Sequence, residues 1–153
     1  MRYDYVHPFV SSAQEILAQV LSGEIAAGRV QLSPAREPGS GVTAIVGVTG
    51  DSEGRVLFEM SRQTALAIAG EMNHEPQLEL GSLARDTLSE LASMMTGRAI
   101  SLLNDKGYKL RVSPPTLVAG DNVMISTAEL ETLTVPLETT HGEVVVNVAM
   151  ATL

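Results

Sequence analysis

The chain contains no cysteine and no tryptophan. That excludes disulfides, thiolate metal sites and cysteine nucleophiles. Aromatic residues make up 3% of the 153 positions, so Leu, Ile, Val, Ala and seven Met must fill any core. No apolar run approaches the roughly 20 residues that a membrane-spanning helix needs. The opening segment MRYDYVHPF lacks the basic-then-apolar order of a secretory signal. Cations are also scarce. There are 10 Lys and Arg against 18 Asp and Glu, a formal net charge of −8. Arg29, Arg55, Arg62, Arg85, Arg98 and Arg111 are scattered rather than striped. Nucleic-acid binding needs clustered cations and therefore has no support. Membrane association has none either, and a cytoplasmic protein is expected.

What remains is an apolar content of 44%, enough for a globular core. A length of 153 residues fits one domain, expected to span 1–153. In HPFVSSAQEILAQVLSG, Pro8 suits a first helical turn, and Phe9, Ala13, Ile16, Leu17, Val20 and Leu21 share a face. A short strand follows near Val30 to Leu32, and then a loop from Ser33 to Gly41. VTAIVGVTG and GRVLFEM read as a hairpin around Gly50 to Gly54. Ser61 is placed to cap a helix over RQTALAIAGEMN. A third helix is expected over about Leu83 to Leu103, ended by Asn104-Asp105-Lys106-Gly107. YKLRV is a strand, and SPPTLVAG is read as a stiff connection. NVMIST, LTVPLET and EVVVNVAM are strands, the last two joined at Thr140-His141-Gly142. The order α-β-β-β-α-α-β-β-β-β, with helices grouped, predicts an α+β domain with a mixed or antiparallel sheet packed with long helices.

The chemistry-bearing patterns are few. His7, His74 and His141 fall in separate loops or element ends, with no ligand spacing for a metal, and His141 is read as exposed in its turn. GVTGDSEG lacks the Lys-Ser/Thr of a phosphate loop, and no G-x-S-x-G elbow occurs. The third helix is more informative. Leu83, Leu88, Leu91, Met94, Met95, Ala99 and Leu102 cover one broad side at 100° per residue. Asp86, Glu90, Ser93 and Gly97 recur on the opposite side at i, i+4, i+7 and i+11. Glu90 and Ser93 are surface neighbours at i and i+3. Gly97 removes a side chain and opens the helix to close approach by another molecule.

Four segments then carry a resemblance across nearly the whole chain: YVHPFVSSAQEIL, VGVTGDSEGRVLFEMS, SELASMMTGRA and KGYKLRVSPPTLVAG, followed by a C-terminal hairpin. Together they resemble the CheX-type chemotaxis phosphatases of the CheC/CheX/FliY group. The resemblance implies action on the aspartyl phosphate of a phosphorylated CheY-type response regulator. It also implies a homodimer and no cofactor of the chain's own, the Mg²⁺ being held by the partner receiver domain. The family motif E-x-x-N falls on Glu90-Leu91-Ala92-Ser93. CheC-type proteins usually carry two such motifs; one is found here, which favours the CheX type. By carry-over, Glu90 pairs with the regulator's lysine, and position 93 places the attacking water. Asp86 and Gly97 are contact-surface residues, argued from the helical face. Ser93 departs from the family's Asn: its hydroxyl can hold a water but is shorter by about an ångström, a displacement that can cost roughly 100-fold in rate. Arg98 also stands where a small or polar residue is expected. A phosphatase, a receiver-binding module without hydrolysis, and a dimeric scaffold all remain open readings of the sequence.

Overall fold

The computed structural model describes residues 3–32, 39–123 and 132–151. Helix α1 runs Tyr3–Val20, followed by the two-residue strands β1 (Ala26–Ala27) and β2 (Gln31–Leu32). The long hairpin β3 (Gly39–Gly50) and β4 (Gly54–Met60) leads into α2 (Arg62–Asn73) and α3 (Ser82–Asp105). Strands β5 (Leu110–Val112), β6 (Thr116–Val123), β7 (Thr132–Thr139) and β8 (Gly142–Met150) complete the α+β fold.

The sheet is antiparallel in every described pairing. Its order is β1-β7-β8-β4-β3-β5, with β2 also on β7 and β6 also on β3. Period-2 alternation sends Val42, Ala44, Val46 and Val48 of β3 to one face, aligned with Met60, Phe58, Val56 and Gly54 of β4. The helices cover that face. Tyr5, Phe9 and Leu17 of α1 and Leu88, Leu91 and Met95 of α3 join Val56, Phe58 and Val146 in a single apolar cluster.

Four local departures from the sequence reading have physical causes. Helix α1 begins at Tyr3, so Pro8 lies inside it rather than in its first turn. Pro8 removes one N–H from the ladder, but the earlier start buries Tyr5, Val6 and Phe9 to 1% exposure each. The Tyr5 ring also packs against Tyr108, with centroids 5.1 Å apart. The segment read as a stiff connection is a connection only over residues 113–115. From Thr116 it is strand β6, paired along β3. Ser113 makes the corner: its Oγ accepts from the Gly47 amide at 2.9 Å. The expected strand NVMIST contributes Asn122 and Val123 to the end of β6; its remaining residues lie outside the described ones. The strand expected at Val30 to Leu32 is reduced to Gln31–Leu32, and β1 precedes it unforeseen.

Helix α2 keeps its predicted span. Ser61 Oγ accepts from the Thr64 amide at 3.0 Å, and His74 closes the helix in the left-handed conformation at φ 55°. The Thr64 hydroxyl in turn donates to the His141 carbonyl at 2.9 Å, tying the start of α2 to the β7–β8 turn.

Candidate functional site: the open face of α3

One side of α3 is sealed against the core: Ala84, Leu88, Leu91, Ala92, Met95, Thr96, Ala99 and Leu103 are buried. Thr96 is polar, and its hydroxyl is satisfied by donating to the Ala92 carbonyl at 2.8 Å within the helix. The opposite side is open. Asp86, Glu90, Ser93 and Gly97 are all exposed, as the spacing predicts. The carboxylate of Glu90 and the hydroxyl of Ser93 make no hydrogen bond or ion pair with any described residue. A Cβ built on Gly97 would meet nothing within 4 Å. The stripe is therefore an exposed surface bearing two carboxylates, a hydroxyl and a gap.

This face is held rigidly at both ends. The N-cap residue Gly81 offers no side-chain hydrogen bond, but the end of α2 braces the first turns. Asn73 Nδ2 donates to Thr87 Oγ1 at 2.8 Å, and Thr87 Oγ1 donates to the Leu83 carbonyl at 2.8 Å. At the other end, Asn104 Oδ1 accepts from the Leu110 amide at 3.0 Å, joining the last turn to β5. Arg98 does not enter the stripe as a free cation. Its Nε faces Glu15 of α1 at 3.4 Å, an exposed ion pair of small energetic weight.

Several placements differ from the sequence reading. Leu83, assigned to the buried side, is 49% exposed. It precedes Asp86 by three residues and Glu90 by seven, which puts it on the open face; the periodicity contained that assignment, and the residue's apolarity concealed it. Met94 and Leu102 are half-buried, at the margin of the core side. His141, read as exposed, is partly buried, and its Nε2 lies 2.7 Å from Glu71 Oε1. The other carboxylate oxygen of Glu71 accepts from the Ser22 hydroxyl at 2.7 Å and the Ser22 amide at 2.9 Å. The two Ser22 hydrogen bonds, then that from His141, hold the Glu71 carboxyl below the ordinary carboxylate value. Because the acid stands between serine and histidine, the imidazole cannot take a proton from the hydroxyl. The cluster pins α1, α2 and the β7–β8 turn together. Sequence separations of 49 and 70 residues left no local signal for it.

His7 lies within α1 rather than in a loop, and His74 caps α2. Among the described residues, no three His, Asp or Glu side chains gather as a metal site, and no helix is long and apolar enough to cross a membrane. A groove of about 720 Å³ lies beside α2, lined in part by Leu66, Pro76, Leu78 and Glu71, and is separate from the α3 stripe.

Comparison with known proteins places the chain in a family. The chain is 27% identical over 121 residues to the CheY-P phosphatase CheX of Thermotoga maritima, covering 78% of each chain. It superposes on the CheX of the CheX–CheY–BeF₃–Mg²⁺ complex from Borrelia burgdorferi with a TM-score of 0.86, 30% identity, and coverage of 99% and 100% of the two chains. A CheC-like superfamily protein from Shewanella sp. PV-4 has the same fold, with a TM-score of 0.90 at 24% identity over 99% of this chain and 100% of that one. The family model described as chemotaxis phosphatase CheX matches residues 42–138. The chain belongs to the CheX family of chemotaxis phosphatases.

Proposed function

We propose that this protein docks the open face of α3 onto a phosphorylated CheY-type receiver domain and hydrolyses its aspartyl phosphate. The observation that carries this reading is the exposed, unpartnered pair Glu90 and Ser93 on a helix braced at both ends. The CheX of Borrelia burgdorferi, 30% identical along the chain, was crystallised with CheY, BeF₃ and Mg²⁺. For the present chain the Mg²⁺ arrives with the receiver and neutralises charge at the phosphoryl oxygens, so this chain's residues need only position.

Glu90 is the anchor: its free carboxylate pairs with a cation beside the receiver's phosphorylation site. Ser93 is the water-positioning residue. Its hydroxyl can donate one hydrogen bond to a water and accept another, directing the oxygen in line with phosphorus. The water oxygen bonds to phosphorus as the phosphorus–oxygen bond to aspartate breaks. Carboxylate and inorganic phosphate result, and the water's protons leave on phosphate. Asp86 borders the contact, and Gly97 lets the receiver backbone approach. The same reading takes residues 1–153 as one CheX-like domain, acting as a homodimer in the cytoplasm.

The test follows phosphoryl loss from the phosphorylated CheY of the source organism with wild type and Glu90→Ala. Accelerated loss that Glu90→Ala removes supports the reading; unchanged loss with wild type overturns hydrolysis. The short reach of Ser93 favours one second reading, a module that binds the receiver without hydrolysing it. In that case wild type binds without accelerating loss, and Ser93→Asn creates the activity.

A further inference from the structure

We infer that Leu83 is the apolar anchor of the receiver contact, the fifth member of the stripe formed with Asp86, Glu90, Ser93 and Gly97. The inference rests on the docking reading above and extends its footprint toward the start of α3. Large exposed apolar side chains are few among the described residues: Val30, Leu32, Leu78 and Leu83. Val30 and Leu32 lie at the β2 edge and Leu78 in the α2–α3 connection. Leu83 alone of these four stands on a long helix, on the face otherwise carrying Asp86 and Glu90.

An exposed leucine by itself is ordinary. Here two observations give it a direction. First, it is two helical turns from Glu90, about 10 Å along the axis, within the footprint of a docked domain. Second, its turn is fixed where a helix start normally frays. The Leu83 carbonyl accepts from Thr87 Oγ1 at 2.8 Å, and Thr87 is held by Asn73 of α2 at 2.8 Å. A leucine on a braced helical turn has less backbone freedom to lose on contact than one on a loop. The five stripe positions carry two carboxylates and no cation, so the occupant is a surface with a cation facing Glu90 and an apolar patch two turns away. The receiver domain of the reading above supplies the first and is expected to supply the second. The division of labour follows: Glu90 sets register, Ser93 reaches the phosphate, and Leu83 supplies desolvated contact area that does not change between ground and transition state.

The experiment measures binding of CheY loaded with beryllium fluoride and Mg²⁺, and steady-state dephosphorylation, for wild type, Leu83→Ala, Leu83→Met and Glu90→Ala, with a thermal melt for each. Leu83→Ala is expected to weaken binding and raise KM by roughly 10-fold, leaving kcat and the melt unchanged, and Leu83→Met restores wild-type binding. If Glu90→Ala loses binding while Leu83→Ala binds as wild type, the inference fails and the docking reading stands. A lowered melt for Leu83→Ala, or a fall in kcat with KM unchanged, also overturns it by assigning Leu83 to folding or to chemistry. If wild type does not bind the loaded receiver, both fail.

Discussion

Replacing Ser93 by Asn tests the chemistry of the open face at a single side chain. Ser93 is exposed, and its hydroxyl has no partner among the described residues, so an amide can be accommodated without moving the helix. Ser and Asn differ little in helix propensity, which leaves stability within about 0.5 kcal/mol. The functional change is much larger. A serine hydroxyl ends about 1 Å closer to the helix than an asparagine amide, and a misplacement of that size costs on the order of 100-fold when a reacting group must lie in line. In energy terms that is about 2.7 kcal/mol of transition-state stabilisation. Ser93→Asn is therefore expected to raise kcat for receiver dephosphorylation by roughly two orders of magnitude, with KM nearly constant, because ground-state docking rests on other side chains. The assay is stopped-time loss of label from phosphorylated CheY at saturating receiver, alongside a binding measurement with the beryllium-fluoride form. If Ser93→Asn binds normally and hydrolyses no faster than wild type, position 93 does not place the water.

Gly97 separates stability from access. A Cβ at this exposed mid-helix position meets nothing within 4 Å, so Gly97→Ala should add about 0.5–1 kcal/mol and raise the melting temperature by roughly 2–4 °C. Gly97→Trp should fold equally well yet lose receiver binding, as read by calorimetry; retained binding would show that the gap has no role in docking. Glu71→Gln tests the tie between Ser22 and His141. The Ser22 hydrogen bonds, then that from His141, hold the folded carboxyl below the ordinary carboxylate value, so its ionised form stabilises the fold above the unfolded value and the contribution is lost as pH falls through the folded value. Wild type should therefore melt above Glu71→Gln near neutral pH, and the gap should close as pH falls through the lowered value of the folded carboxyl; a gap independent of pH would contradict that role.

The sequence revealed most where local chemistry and burial agree. Ser61 caps α2 as its position predicts, and the β3–β4 hairpin follows from Gly50 to Gly54 because turn residues and alternation point the same way. Pro8 misled because a local preference for a first turn was overridden by burial of Tyr5 and Phe9. Strand β6 was hidden behind Pro114-Pro115, whose stiffness ends before Thr116. On α3, the exposure of Asp86, Glu90, Ser93 and Gly97 was legible from spacing, since a 24-residue helix against a sheet has one buried side. The exposure of Leu83 was equally implied by its spacing and was masked by side-chain type. The contact of Glu71 with Ser22 and His141 was not legible, because it exists only once three distant segments meet.

The most direct test of docking through α3 is a footprint. Amide resonances of the labelled protein are recorded while CheY loaded with beryllium fluoride and Mg²⁺ is added. The largest shifts should map to residues 83–97 and disappear in Glu90→Ala. Shifts centred instead on the sheet or on the groove beside α2, with α3 unperturbed, would contradict the claim that this open face is where the receiver binds.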